Sequence, residues 1–198
     1  FIVDDDPAIR FAMQALMDSV NIEHEIYSSG DEFLESVDDH RAGCLVLDIR
    51  MPGLGGLELQ EELIKRDSTL PIIFITGHGD VPMAVDAMQK GAVDFIQKPF
   101  RDQDLLDRIR EALKTDAERR EEQQKHAEVA ERLDRLTNRE REVFDLVVTG
   151  KPNKVIAYEL GVSQRTVEIH RARVMEKMQA RSLADLVRMH IASKEHHA

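Results

Sequence analysis

The chain has little of what would cross-link it covalently or anchor it in a membrane. Its 198 residues include one cysteine, no tryptophan and six prolines. One cysteine cannot form an internal disulfide, and Cys44 lies in an apolar run where a small buried thiol is typical, which fits a reducing compartment. No apolar run approaches the roughly 20 residues that a membrane-spanning helix needs, and the chain opens without a basic or long apolar leader. We therefore expect a cytoplasmic protein that does not bind a membrane.

Charge is distributed unevenly along the chain. The formal net charge is −11, but residues 1–114 carry 23 acidic against 11 basic side chains, whereas residues 137–198 carry 8 against 11. An acidic front part repels polyanions and a mildly basic tail can approach them. The length also suits one or two domains. Because the charges differ, the front part and the tail are expected to have different roles.

Residues 45–53, LVLDIRMPG, read as a buried strand that ends at one carboxylate, Asp48. An apolar run of this length between Gly43 and Pro52 is typical of a central parallel strand covered on both faces. Asp48 then stands at the carboxyl end of the strand, where open α/β sheets place their ligand crevices. Taken alone, Asp48 is equally compatible with a residue that simply starts a turn.

Five short apolar runs in the front part are each followed by a segment with helical spacing. Pro7 at a first helical position, with Asp6 as N-cap, opens the first of these helices. Apolar residues at 22–27, 45–48, 72–75 and 93–96 supply the other strands. This alternation predicts a flavodoxin-like, doubly wound, five-stranded parallel sheet.

From Asp102 the sequence lacks Gly and Pro to about residue 136, which predicts a long helical linker. A solvated spacer and a strut that pairs weakly with its copy both remain open, because the apolar spacing is irregular. Thr137 and Glu140 form a capping-box pattern that starts a new helix, and Gly161 separates two further helices like a helix-turn-helix. We divide the chain into a domain at 1–113, a helical linker at 114–135 and an all-α domain at 136–198.

Polar residues follow four of the predicted strands, at ends that are neighbours in a flavodoxin-like sheet. They are Asp4 and Asp5, Asp48, Thr76 and Lys98. Three carboxylates in one crevice need a cation among them, and a hard ion such as Mg²⁺ fits. Asp48 can then attack a phosphoryl group, with Lys98 offsetting the developing charge and the Thr76 hydroxyl bonding a phosphoryl oxygen.

These pieces resemble the receiver domain of two-component response regulators. The motifs are VDD at 3–5, LDIRMPG at 47–53, TGH at 76–78 and KPF at 98–100. The resemblance implies that Asp48 is the phosphoacceptor and that Asp4, Asp5 and Asp48 bind the metal, with the Arg50 backbone carbonyl as a further ligand. It also implies that Thr76 and Phe95 are the switch pair and that the peptide before Pro99 is cis.

In the helix that begins at Gln164, Val167, Val174 and Met178 form an apolar face that should pack on the preceding helices. The opposite face is suited to a DNA groove. Residues 136–143, 153–157 and 163–171 resemble the LuxR-type DNA-binding domain of FixJ-type regulators. The linker departs from that branch and is similar to that of StyR-like regulators of aromatic-compound breakdown. The predicted base-facing residues are Arg165, Glu168, Ile169, Ala172 and Arg173. The predicted phosphate contacts are Lys154, Thr166, Arg171 and Lys177.

The function expected from these features is that of a transcriptional response regulator. A sensor histidine kinase phosphorylates Asp48, the receiver dimerises through a face containing Val85 and Gln89, and the dimer binds promoter DNA. RNA polymerase is a further candidate partner. We do not expect an enzyme beyond its own phosphorylation and dephosphorylation. The alternatives are an aspartyl-phosphate phosphatase, which generally has a carboxylate where Arg50 stands, and a protein-binding scaffold that does not touch DNA.

Overall fold

The computed structural model describes residues 1–36, 41–77 and 81–195, with the backbone alone for Val81 and Glu195. They form two compact units, Phe1–Arg119 and Arg120–Ala198. None of the helices in these ranges combines the length and the apolar character needed to cross a bilayer. His78, part of one receiver motif, lies outside the described residues.

The first unit contains a five-stranded parallel sheet. Its strands are β1 (Ile2–Val3), β2 (Ile26–Tyr27), β3 (Leu45–Asp48), β4 (Ile72–Thr76) and β5 (Asp94–Gln97). The order across the sheet is β2-β1-β3-β4-β5, and every pairing is parallel. The predicted flavodoxin-like fold is confirmed.

Helices cover both faces of this sheet. They are α1 (Pro7–Ser19), α2 (Gly30–Ser36), α3 (Gly56–Lys65), α4 (Val81–Gln89) and α5 (Asp102–Asp134). Alternate strand residues point to opposite faces, so that Leu47 and Phe74 lie in one core with α2, α3 and α4. Val46 and Ile75 lie in the other core, with α1 and α5. A sheet buried on both faces explains the continuous apolar runs.

The second strand is shorter than the sequence indicated. Residues 22–27 were expected to be extended, but β2 contains Ile26–Tyr27 only. The Ile22 amide instead donates to the Met17 carbonyl, and Asn21 adopts a positive φ of 54°. These bonds satisfy carbonyls at the end of α1 that would otherwise lack partners. The expected strand residues are therefore used to terminate a helix.

Helix α5 is continuous over 33 residues, as the absence of Gly and Pro predicted. Within the first unit, its Asp116 side chain is only 3% exposed. One Asp116 carboxylate oxygen accepts from the Gly43 amide at 3.0 Å, and the other accepts from Arg119 at 2.6 Å. Because Gly43 directly precedes Cys44 and strand β3, this carboxylate ties the start of the central strand to α5.

The second unit contains the end of α5 and four further helices. They are α6 (Asn138–Val148), α7 (Asn153–Leu160), α8 (Gln164–Lys177) and α9 (Leu183–Glu195). The predicted Thr137–Glu140 capping box is present at the start of α6. Gly161, at φ 65°, ends α7, and the Ser163 hydroxyl caps α8 through the Thr166 amide at 3.0 Å. The helix-turn-helix is formed as expected.

Candidate functional site

The first candidate site lies at the carboxyl edge of the sheet, where three charged side chains meet. Asp4 follows β1, Asp48 ends β3 and Lys98 follows β5. The Lys98 ammonium nitrogen lies 2.8 Å from Asp48 Oδ1 and 3.1 Å from Asp4 Oδ2. Asp4 and Lys98 are 94 positions apart, so the parallel sheet is what brings them together.

Each of these carboxylates is held at both oxygens. Besides Lys98, Asp48 Oδ2 accepts from the Arg50 amide at 2.9 Å, and Asp4 Oδ1 accepts from the Asp6 amide at 2.9 Å. Both amides lie two residues after the carboxylate, in the loop that leaves the strand. The loops therefore orient the carboxylates before any ligand arrives.

Burial and charge act in opposite directions on this cluster. Burial raises the pKa of Asp48; Lys98 lowers that pKa through its hydrogen bond and charge, while Asp4 raises it further. Burial lowers the pKa of Lys98, but the hydrogen bonds and charges of Asp48 and Asp4 outweigh burial, so that the pKa of Lys98 is raised. One ammonium facing two carboxylates leaves an excess of negative charge.

The predicted metal-ligand set is not assembled as a group. Among the described residues, no three Asp, Glu, His or Cys side chains are placed to hold a metal ion together. Asp5 is exposed, and the cation between Asp4 and Asp48 is the Lys98 ammonium. Even so, two oxygen donors with excess negative charge, next to an exposed third carboxylate, have the chemistry that Mg²⁺ requires.

Thr76 and Phe95, the predicted switch pair, lie on neighbouring strands. Thr76 ends β4 with 0% exposure, and its hydroxyl has no hydrogen-bond partner in the described part of the chain. A buried hydroxyl without a partner costs on the order of 1–3 kcal/mol. Phe95 is partly buried and packs against the core beneath α2, α3 and α4. Their switching role stays a prediction.

Gly56 is a site residue that the sequence did not single out. A Cβ built on Gly56 would lie 2.3 Å from the Asp48 carbonyl oxygen and 3.0 Å from Ile49 Cα. Only glycine lets the first turn of α3 approach the end of β3 so closely. The double glycine at 55–56, just after the strand loop, is the signal that sequence reasoning could have used.

The predicted receiver dimer face is accessible. Val85 on α4 is 48% exposed and Gln89 is also exposed. Met88 and Val93 add further exposed apolar surface to the same segment. The structure shows a surface that could take a partner, and the dimer itself stays a prediction.

The second candidate site is the exposed side of α8. Val167, Val174 and Met178 are fully buried, which confirms the predicted apolar face. The five residues predicted to read bases are exposed or partly exposed; they are Arg165, Glu168, Ile169, Ala172 and Arg173. Thr166 is partly buried at the α8 N-terminus, and Lys154 is exposed on α7. The Arg165 guanidinium nitrogen Nη1 also lies 3.4 Å from the Glu168 carboxylate oxygen Oε2, one turn along the helix.

Two predicted phosphate contacts already have partners within the domain. The Lys177 ammonium donates to the buried Glu140 carboxylate at 2.6 Å and to the Arg135 carbonyl at 3.0 Å. This pairing lowers the pKa of Glu140 from 4.5 to about 2, with the Thr137 amide as the next cause. Arg171 donates to the Asn153 side chain at 2.9 Å. Lys177 therefore has a structural role within the domain, and its predicted phosphate contact stays a prediction.

Comparisons with known proteins match both units. Residues 1–110 match the response regulator receiver domain, and residues 134–190 match the bacterial regulatory proteins of the luxR family. Nodulation protein W of Bradyrhizobium diazoefficiens is 50% identical over 189 residues, which is 96% of this chain and 83% of that protein.

Two further proteins are similar to this chain over most of their length. Transcriptional regulatory protein FixJ of Azorhizobium caulinodans is 45% identical over 188 residues, 95% of this chain and 89% of that protein. The solved structure of response regulator StyR is 44% identical, covers 96% of both chains and gives a TM-score of 0.89.

Proposed function

The chain belongs to the FixJ-type response regulators, which join a receiver domain to a LuxR-family DNA-binding domain, and on this premise we propose that Asp48 accepts the phosphoryl group. Such a chain is a DNA-binding transcriptional regulator of a two-component system. The single observation that carries the proposal is the Lys98 ammonium bridging Asp48 and Asp4 at the carboxyl edge of the sheet.

Phosphorylation starts with attack by an Asp48 carboxylate oxygen on phosphorus. The new O–P bond forms as the bond from phosphorus to the phosphohistidine nitrogen of a sensor kinase breaks, and that nitrogen keeps the electron pair. Lys98 is within 2.8 Å of Asp48 Oδ1 and can offset charge that develops on the phosphoryl oxygens. Asp4, Asp5, Asp48 and the Arg50 carbonyl would hold Mg²⁺, which when bound would neutralise phosphoryl charge.

The buried Thr76 hydroxyl supports a role in reading the phosphorylated state. It is unpaired in the described residues, and a phosphoryl group on Asp48 adds acceptor oxygens to the neighbouring strand end. A hydrogen bond to one of these oxygens would draw Thr76 toward Asp48 and leave space into which Phe95 can turn. We assign this pair to the switch for that reason.

The output is binding of a dimer to promoter DNA in the cytoplasm. Exposed Val85, Met88 and Gln89 on α4 offer a surface on which phosphorylated receivers can associate. The two LuxR-family DNA-binding domains of the dimer can then occupy half-sites about one DNA turn, roughly 34 Å, apart. A polymerase contact would follow from promoter binding. The protein is a regulator whose only chemistry is on itself, because Arg50 stands where an aspartyl-phosphate phosphatase generally has its acid.

The test is labelling at Asp48. Acetyl phosphate with Mg²⁺ should phosphorylate the full chain, and Asp48→Asn should abolish this while the unfolding temperature changes little. Beryllofluoride should convert the parent protein, but not Val85→Glu, to a dimer in light-scattering measurements. Persistent labelling of the Asp48→Asn protein, or steady turnover of small phosphate esters by the parent, would contradict the proposal.

A further inference from the structure

Tyr158 is exposed to a degree that the fold does not explain. Its side chain is 89% exposed, more than any other large apolar or aromatic side chain in the described residues. It lies on α7, whose opposite side contributes the buried Ile156 and Ala157 to the core of the second unit. The ring therefore adds nothing to the packing of the domain, and large exposed aromatic groups are typical of contact surfaces.

The charges around Tyr158 suit a polyanion. Lys154 lies one turn earlier on α7, is exposed and forms no ion pair with any residue in the described ranges. The single acidic residue of α7, Glu159, is neutralised by Lys151, whose ammonium lies 2.8 Å from both carboxylate oxygens. Residues four apart share a helix face, so Lys154 and Tyr158 present an ammonium and a phenol side by side.

The first turn of helix α7 is fixed to α8, the helix predicted to enter the DNA groove. Arg171 of α8 donates to Asn153 of α7 at 2.9 Å, and Ile156 shares a core with Val167. In a helix-turn-helix, the first helix crosses the DNA backbone while the second enters the major groove. The exposed face of α7, with the Lys154 ammonium and the Tyr158 hydroxyl as donors, would therefore approach DNA phosphates when α8 lies in the major groove.

We propose that Tyr158 is a DNA contact, donating its hydroxyl hydrogen bond to a backbone phosphate beside the one that Lys154 approaches. The inference rests on the proposed DNA-binding function and extends it to a residue outside the basic set. The aromatic ring acts as a rigid spacer with few rotatable bonds, so little conformational freedom is lost when the bond forms. The contact positions the domain on DNA and is independent of base sequence.

Because a phosphate contact is independent of sequence, the test does not need the operator. The full chain, activated with beryllofluoride, is titrated with a fluorescent duplex of random sequence at several salt concentrations. Tyr158→Phe removes only the hydroxyl and should weaken binding by about five- to tenfold. The slope of affinity against salt should not change, since a neutral donor releases no counterion.

Two matched variants on the same helix separate charge, hydroxyl and surface effects. Lys154→Gln should weaken binding and also reduce the salt slope, by about 0.9 for each lysine–phosphate contact removed. Val155→Thr changes an exposed residue on another side of α7 and should leave both quantities as in the parent protein. All three positions are exposed, so equal unfolding temperatures would confirm that the fold is unchanged.

A spectroscopic measurement follows from the composition, because the chain has two tyrosines and no tryptophan. With 3-fluorotyrosine incorporated, the ¹⁹F signal of Tyr158 should shift on adding the duplex, whereas that of Tyr27 in the receiver should not. A parent protein that binds no duplex would refute the proposed DNA-binding function and this inference with it. A parent that binds the duplex, with Tyr158→Phe binding equally well and no ¹⁹F shift, would overturn the inference alone and leave the DNA-binding function standing.

Discussion

Replacing Lys177 by methionine should destabilise the second unit strongly. The Lys177 ammonium is the charged partner of the Glu140 carboxylate, which is only 3% exposed. Without it, Glu140 keeps a backbone amide as partner but no opposite charge. Breaking a buried pair costs about 3–5 kcal/mol, and the one-third exposure of Lys177 places the expected cost at the lower end, about 3 kcal/mol.

Calorimetry of the full chain gives the direct measurement. For a domain of this size, about 3 kcal/mol corresponds to a fall in unfolding temperature of roughly 12–24 °C. Hydrogen exchange followed by mass spectrometry should place the loss in peptides from α6 and α8, with the receiver peptides unchanged. Lys154→Met is the matched control: an exposed lysine without an ion pair, whose loss should change stability by less than about 0.5 kcal/mol.

The same ion pair predicts a pH dependence. The pKa of Glu140 is lowered from 4.5 to about 2 in the folded protein. A carboxyl with a depressed pKa contributes stability that is complete above its unfolded pKa and is lost as pH falls from about 4.5 toward 2. Lys177→Met should remove most of this dependence. If that variant instead keeps the parent's unfolding temperature and reduces the salt slope of DNA binding, Lys177 is a phosphate contact and the structural assignment is wrong.

Three further predictions concern the receiver. Gly56→Ala should lower the free energy of unfolding by about 2–3 kcal/mol and slow labelling of Asp48, because the added methyl would lie 2.3 Å from a backbone oxygen. Gly55→Ala is the control and should cost less, because its methyl meets the flexible Glu58 side chain. Equal unfolding temperatures of the two variants would contradict this. Thr76→Val should raise the free energy of unfolding by about 1 kcal/mol, because it removes an unpaired buried hydroxyl. The same variant should not dimerise when beryllofluoride is added. A normal dimer would exclude Thr76 from the switch. EDTA should stop labelling by acetyl phosphate and excess Mg²⁺ should restore it, with Asp5→Asn needing more Mg²⁺; labelling that persists in EDTA would refute the metal requirement.

Local patterns in the sequence were sufficient for most of the architecture. Apolar runs and helical spacing predicted the sheet, and the Thr137–Glu140 box predicted the start of α6. The convergence of Asp4, Asp48 and Lys98 also followed, since the carboxyl ends of parallel strands share one edge. These features depend on neighbours in sequence or on a regular topology.

Features that depend on individual distances could not be predicted in this way. Glu140 and Lys177 are 37 positions apart, and nothing in the local sequence of α8 distinguishes a lysine that faces Glu140 from one that faces DNA. The spacing of Ile22 suited a strand, but its amide was needed to end α1. The arrangement around Asp48 likewise depends on which cation is nearest, and here it is the Lys98 ammonium.

The buried Asp116 has a practical consequence for separating the two halves of such regulators. A receiver excised at residue 113, as the sequence alone suggests, would lose the carboxylate that holds the Gly43 amide and the start of β3. Fusions that exchange output domains should therefore be joined after Arg119, which keeps both oxygens of Asp116 satisfied. A junction at residue 113 would leave the Gly43 amide without this carboxylate, so that fusion's receiver should unfold at a lower temperature than one joined after Arg119.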